Sequence, residues 1–409
     1  MKILHLIPTY RPAYSRGGPI WSVHNLNKQL AKKGVDIDLY TTDIDISEGK
    51  VPLNKKVDVD GIDVTYFPES KNIFDYRSVG FIPYFFPRRW EYSRDMHLNL
   101  KENISKFDLV HITSTFLTVS TLGAYYANQH NIPYVISLRG NFMSHIDQKN
   151  SWGKKIYSKL IESYALKHAK ALHTTVELEK EQYLNRSLPK NDFVTIPNGL
   201  DLDELDKNVE DGSFRDKHNI DANRPIVLFL SRIDWKKGLD TLIPAMKKVI
   251  DEIPDCLLVI AGSGDDQHTK EMKDLVREQN LEDNVYFAGW VEGKQKTAAF
   301  KDADLFALSS YSENFGMAVV EAMYYKLPVL ITPEVGVSKE VQRAQAGKII
   351  KKDEEEFGKK IIELLEDKEQ RNEMGRNGKR LVDKKFAMSE IADQWQEAYQ
   401  NILSGSVQN

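Results

Sequence analysis

A short apolar run, KILHLIP, too brief for a helix, is followed by turn residues that include Gly17 and Gly18. An amphipathic run, IWSVHNLNKQLAKKG, then ends at Gly34, and apolar VDIDLYTT comes next. Strand, glycine turn, helix and strand make one βαβ unit. The alternation continues through IDVTYFP, FDLVHITS, PYVISLRG and ALHTTV, with helical patterns between most of them. Strands alternating with helices predict a parallel sheet covered on both faces.

IPNGLD at 196–201 supplies a turn, and a polar, acidic stretch to about residue 223 reads as a linker region. A second alternating series follows: PIVLFLSR, LLVIAGSG, NVYFAGWV, DLFALSS and LPVLITP, each trailed by a helical pattern. From about residue 355 the chain reads as charged amphipathic helices, ending in EIADQWQEAYQNIL. The expectation is two Rossmann-like α/β domains in series, 1–200 and 201–385, which suits a length of 409 residues.

Composition narrows the class. Hydrophobic content of 41% and charged content of 28% are those of an ordinary globular protein. The apolar run in MKILHLIPTY is too short for a signal peptide's core, and no run approaches a membrane span. The single cysteine, Cys256, sits in apolar CLLVIAG and reads as a buried structural thiol. A cytoplasmic protein is expected. The net charge of −4 conceals an asymmetry: 26 Lys+Arg against 20 Asp+Glu over 1–200, and 30 against 40 over 201–409. Halves of opposite sign suggest different partners for each. An acidic balance without a recognition module argues against nucleic acid.

Candidate chemistry concentrates in the second half. LFLSRIDWKKGLDTL places Arg232 just past a buried strand and Lys237 five residues on, before Gly238. Strand ends are where open α/β sheets bind ligands, and an Arg fork with a compact Lys charge suits a diphosphate. Lys236 competes with Lys237 for that role on spacing alone. AGSG follows the next strand, and Gly262 and Gly264 would let backbone approach a ligand. In ALSSYSENFGMAVVEAM a polar loop carries Glu313, Asn314 and Gly316, and a helix starts at about Met317. Its free N–H groups make an anion site. Glu321, about one turn in, can accept two hydrogen bonds from a vicinal diol such as a ribose. The bland alternative makes Glu313 a helix-start acid and Glu321 a solvated residue.

SRIDWKKG, AGSG, FAGWV and SENFGMAVVEA, in this order after PNGLD, resemble the large family of retaining glycosyltransferases of family 4, also called glycosyl transferases group 1. The resemblance implies the GT-B fold, two Rossmann-like parallel-sheet domains facing each other across a cleft. A C-terminal helix, about 386–405, would pack back on the first domain. By resemblance Arg232 and Lys237 neutralise the donor's diphosphate as the glycosidic bond breaks, and Glu313 meets donor-sugar hydroxyls. The helix start after Asn314, Phe315 and Gly316 would hold phosphates and sugar, Glu321 the ribose, and Val291 the nucleobase. Gly17 and Gly18 would stand across the cleft, near phosphate and acceptor. Departure of a nucleotide diphosphate with front-face attack by an acceptor hydroxyl needs no carboxylate nucleophile.

One departure stands out. Many members carry His-Gly after the first-domain strand that faces the donor, where VISLRGNFMS offers Arg139-Gly140. An arginine can bind phosphate or an anionic sugar but is no neutral hydrogen-bond partner. His111 and His145 read as structural histidines. Asp-x-Asp triplets at Asp36/Asp38, Asp43/Asp45, Asp58/Asp60 and Asp201/Asp203 fall outside the phosphate region, so neither a catalytic metal nor another cofactor is expected. YRSVGFIPYFFPRRWEYSR, residues 76–94, mixes aromatic and basic residues as a membrane interface or an acceptor cleft does. The expected partners are a UDP- or GDP-linked sugar and a glycan or lipid-linked acceptor, with peripheral contact at the membrane's inner face through 76–94. Competing readings are a nucleotide-sugar epimerase on the same fold, a non-catalytic nucleotide-sugar-binding scaffold, and a dinucleotide oxidoreductase. The last is disfavoured because the first βα turn lacks G-x-G-x-x-G.

Overall fold

The computed structural model describes residues 1–13, 18–70, 91–142, 163–205 and 208–406. Gly17, His145 and residues 76–90 of the aromatic-basic segment therefore lie outside the described residues. The chain divides into two compact units, Met1–Gly199 with Met388–Asn409, and Leu200–Ala387.

In the first unit the strands are β1 (Lys2–Thr9), β2 (Asp36–Thr42), β3 (Lys56–Val59), β4 (Ile62–Phe67), β5 (Leu109–Thr113), β6 (Tyr134–Ser137), β7 (Ala171–Thr174) and β8 (Phe193–Thr195). They form one sheet in the order β3-β4-β2-β1-β5-β6-β7-β8. Neighbours run parallel except β3 and β4, a hairpin turned by Asp60 and Gly61, both at positive φ. Seven of the eight residues of β1 are buried, as a central strand covered on both faces requires. The helix Gly18–Lys32 lays Ile20, Val23, Leu26 and Leu30 on one buried stripe and stops where Gly34 takes φ 81°.

The second unit holds β9 (Ile226–Leu230), β10 (Leu257–Ala261), β11 (Val285–Gly289), β12 (Leu305–Leu308), β13 (Val329–Ile331) and β14 (Gly347–Ile349). Their order is β11-β10-β9-β12-β13-β14, all parallel. The chain builds outward from β9 in one direction, then returns to place β12 against its other side. That reversal makes the exits of β9 and β12 the crevice at which such sheets take ligands.

The hydrophobic pattern does not announce β3, β8 or β14. Each stands at a sheet edge, is only three or four residues long and has no fully buried residue, so none makes a continuous apolar run. After β14 come the helices Glu354–Glu366 and Lys368–Leu381 and a π turn, Val382–Phe386. Asp353 caps the first of them by accepting from Glu356 N at 2.8 Å.

The last helix, Met388–Ser404, belongs to the first unit. Met388, Ile391, Trp395, Tyr399 and Ile402 recur at helical spacing and share a core with Ile3, Ile7, Val23 and Leu26. Each such side chain contributes about 1.5–3 kcal/mol by leaving water, which anchors the end of the chain to its beginning. Cys256 is buried at the start of β10, and burial pushes its thiol up to about 12, so it stays protonated and inert. Among the described residues no helix is long and apolar enough to cross a membrane.

Candidate active site

The chain leaves β9 through Arg232, which is exposed and has no side-chain partner among the described residues. Asp234 then caps a single 3-10 turn, Trp235–Lys237, by accepting from Lys236 N at 3.0 Å. Gly238 ends the turn at φ 73°, and a Cβ there would stand 1.9 Å from the Ser309 carbonyl oxygen. Only glycine lets this turn lie against the exit of β12. That approach seats Lys237, whose ammonium donates to the Glu313 carboxylate; the side chains are 12% and 22% exposed. The structure thus selects Lys237 over Lys236 as the partner of Glu313. Lys236 instead places its ammonium 5.8 Å from the Trp235 ring.

Beyond β12 the loop is clamped by its backbone. Glu313 N donates to Glu334 O at 3.1 Å, and Gly336 N donates to Glu313 O at 2.9 Å. Asn314 is partly buried in this loop. The Phe315 side chain is 3% exposed and meets Phe386 edge-on at 5.7 Å, so only its backbone remains for a ligand. Gly316, at φ 96°, caps the helix Met317–Tyr324 without a side-chain hydrogen bond. The helix therefore begins with N–H groups that no side-chain cap claims. Glu321 lies on this helix and is not simply solvated: its Oε1 accepts from Lys296 Nζ at 2.6 Å, with Glu321 12% and Lys296 34% exposed.

Gly262 follows β10, the strand on the other side of β9. Its requirement is internal: a Cβ would lie 1.9 Å from the Ser231 carbonyl oxygen, so the neighbouring strand exit excludes a side chain whether or not a ligand approaches. Val291, 9% exposed, follows β11 at the sheet edge beside Trp290, which is 64% exposed. Arg232, Lys237 and Glu313 to Gly316 thus gather at the exits of β9 and β12. Glu321 lies one turn further, and Gly262 and Val291 lie along the same carboxyl edge.

In the first unit, Gly18 opens the helix after β1 in open space. Arg139 leaves β6 in the left-handed region, φ 54°, and its Nη1 donates to Asn198 Oδ1 at 2.6 Å and Ser22 Oγ at 3.4 Å. Burial lowers its pKa to about 10, opposed by the charge of Glu179, so it remains a cation at neutral pH. Glu179 itself accepts from Gly140 N and from Thr175 N.

A buried histidine cluster, His5, His111 and His173, lies in the sheet close to Arg139. His5 and His111 are register partners on β1 and β5, with rings stacked at 4.2 Å. His111 meets Tyr399 Oη at 2.6 Å and Ser137 Oγ at 2.7 Å, and Ser137 Oγ lies 2.7 Å from His173. Burial pushes His5 and His173 down to about 3 and His111 well below its ordinary value. These rings are neutral structural groups. The signal was available: each stands inside an apolar strand run.

Of the aspartate triplets, Asp36 and Asp38 pair with Lys2, Asp38 with Lys56, and Asp60 with Arg11. Among the described residues no group of three or more His, Cys, Asp or Glu is arranged to hold a metal.

The family model for Glycosyltransferase Family 4 matches residues 16–204, and that for Glycosyl transferases group 1 matches residues 211–381. The chain is 24% identical over 404 residues to the uncharacterized glycosyltransferase MJ1607 of Methanocaldococcus jannaschii, covering 98% of each chain. Among solved structures, sucrose-phosphate synthase from Thermosynechococcus elongatus superposes with TM-score 0.75 at 22% identity, covering 99% of this chain and 100% of that one. Anabaena Alr3699/HepE in complex with UDP-glucose does so with TM-score 0.74 at 18% identity, covering 98% and 100%. At these identities the structural likeness speaks for the fold.

Proposed function

This chain belongs to glycosyltransferase family 4, with the GT-B fold, and we propose that it moves a hexose from a UDP- or GDP-linked donor to an acceptor hydroxyl with retention of configuration. The observation that carries the proposal is the convergence of Arg232, Lys237, Glu313 and the uncapped start of Met317–Tyr324 at the exits of β9 and β12. A nucleoside diphosphate leaving group develops negative charge as its glycosidic bond breaks. Two cations and a helix N-terminus at a sheet's switch point would stabilise that charge. The site supplies from side chains what a divalent ion supplies elsewhere, so transfer is proposed to need no metal and no other cofactor.

Glu321 would accept the ribose hydroxyls after sharing or releasing Lys296, and Val291 would line the base. Glu313 would orient the sugar, and the acceptor hydroxyl would attack from the face the diphosphate leaves. The acceptor is proposed to be a glycan or lipid-linked glycan of a bacterial surface polysaccharide or glycolipid, reached on the cytoplasmic side of the membrane. The basic, aromatic composition of residues 76–94 supports that setting.

A melting panel of UDP- and GDP-sugars, with and without EDTA, tests the donor reading. One nucleotide sugar should raise Tm, EDTA should leave the rise intact, and Glu321→Ala should abolish it. A panel without any shift would return the scaffold reading to the front. Nuclear magnetic resonance of the product then decides between transfer with retention and epimerisation.

A further inference from the structure

We propose that Trp235, Lys236, Tyr311 and Lys352 of the second unit form an open subsite for a sugar that carries an anionic group, one unit of an acidic acceptor glycan. Trp235 and Lys236 belong to the 3-10 turn after β9, Tyr311 follows β12 and Lys352 follows β14. Three strand exits on the ligand-binding edge thus contribute to one patch, which adjoins Lys237 in the chain.

The two rings lie 6.1 Å apart and both stand in water, Trp235 46% and Tyr311 37% exposed. Aromatic side chains of this size are normally covered, and a neighbouring pair left open marks a contact surface. They are also held in place. Tyr311 N donates to Lys236 O at 2.8 Å, and the Tyr311 hydroxyl donates to Asp240 Oδ2 at 2.6 Å. Lys352 Nζ lies 3.1 Å from the centre of the Tyr311 ring, and Lys236 Nζ lies 5.8 Å from that of Trp235. Among the described residues neither ammonium has a carboxylate within ion-pair distance. The negative faces of the rings are their substitute.

That chemistry fits a sugar with a negative group. An open indole face packs the C–H face of a pyranose ring. An ammonium leaves a ring face for a carboxylate or phosphate oxygen, because the charge-assisted hydrogen bond is the stronger contact. A broad anionic surface such as a membrane fits less well. Residues 201–409 hold 40 acidic against 30 basic residues, and exposed Asp353, Glu354 and Glu355 follow Lys352 directly. Only a ligand small enough to meet the lysines alone avoids them. The nucleobase has its own proposed place at Val291 after β11, whereas the patch spans the exits of β9, β12 and β14, beyond β10. In that reading the sugar it holds belongs to the acceptor.

The word acceptor rests on the glycosyltransferase reading; the anionic-sugar subsite does not. The full chain labelled with 5-fluorotryptophan gives a fluorine resonance for each of its six tryptophans, and Trp235→Phe identifies the Trp235 line. D-Glucuronate, glucose 6-phosphate and D-glucose should be titrated against it, with and without UDP. Glucuronate or glucose 6-phosphate should move the line with an affinity at least about threefold tighter than that of D-glucose, the scale of exposed ion pairs.

Lys236→Met combined with Lys352→Met should erase this preference, and Lys352→Met alone should remove part of it, which keeps the test decisive if the double variant folds poorly. A line that no sugar moves, equal affinity for all three, or a preference that survives the substitutions overturns the proposal. So does a response lost when UDP is added, which would put the anion at Arg232 and Lys237. A line that moves with phosphatidylglycerol vesicles and with no sugar would mark a membrane contact and overturn it too. UDP binding, measured by calorimetry on the same samples, separates the two readings: its absence with the sugar response intact sinks the donor assignment and leaves this subsite standing.

Discussion

Lys237 and Glu313, 76 residues apart in the chain, form an ion pair where β9 and β12 leave the same sheet. The strands are neighbours because β10 and β11 are laid on the far side of β9 before the chain returns. The pair compensates the Lys237 ammonium and leaves Arg232 as the site's uncompensated cation among the described residues. An arriving diphosphate must then take over the ammonium from Glu313, which frees that carboxylate for the hydroxyls of the sugar.

This exchange predicts opposite effects on binding and turnover. Glu313→Gln removes the internal competitor for Lys237, so UDP should bind about three- to fivefold tighter, the scale of a partly exposed ion pair. Transfer should nonetheless fall. Lys237→Ala should weaken UDP binding and lower kcat by about 10²–10³, as loss of one preorganised donor at a developing anion does. Calorimetry with UDP beside initial rates would show it; weaker UDP binding in Glu313→Gln would rule out the exchange.

The seat of Lys237 should be equally sensitive. Gly238→Ala places a methyl group 1.9 Å from the Ser309 carbonyl at a φ of 73°, so the turn must leave the exit of β12. Strain and displacement together should destabilise the second unit by about 2–4 kcal/mol. Differential scanning calorimetry should show its transition falling while the first unit's stays in place. An unchanged scan would mean that the turn adjusts freely.

These two residues also mark what the sequence discloses. Lys-Gly after a strand was readable as a motif, because Gly238 is needed at a fixed offset from Lys237. Its partner was not, since pairing across 76 residues depends on strand order, which no local pattern encodes. The central strands were readable because burial on both faces makes them continuous apolar runs, whereas edge strands such as Gly347–Ile349 are half-exposed and look like loop. Phe315 shows the converse: it belongs to a site motif, yet its ring is core, packed on Phe386. Lys296 was invisible as a site residue because nothing in its own helix points to Glu321.

That ion pair yields its own prediction. Lys296 holds the Glu321 carboxylate at 2.6 Å, fixing its rotamer on the helix Met317–Tyr324. If Glu321 accepts a ribose diol, Lys296→Met should raise KM for the donor several-fold with kcat nearly unchanged, since the effect is on positioning. Glu321→Ala should be more severe and should lose discrimination between ribose and deoxyribose nucleotides. Identical discrimination in Glu321→Ala would remove the diol role.

Acid should act chiefly on the first unit. His5 and His173 are held near 3 and His111 well below its ordinary 6.5, all by burial, so the folded unit keeps these rings neutral. The unfolded chain binds their protons below about pH 6.5, so stability is complete above that pH and is lost as pH falls toward the folded values. With His97, which burial lowers to about 4, four such groups give a slope of up to about 5 kcal/mol per pH unit, steep enough to unfold a domain within one or two units. Of the histidines among the described residues of the second unit, only His218 has a resolved downward shift, and it is partly open to water. The acid transition should therefore be biphasic, with the first unit leaving at the higher pH. Trp395, 2% exposed and 4.5 Å from both the His111 and His173 rings, reports it by fluorescence. His111→Gln, which cannot take up a proton, should reduce the slope by about a quarter. A single transition of unchanged steepness in that variant would show that the cluster does not govern acid unfolding.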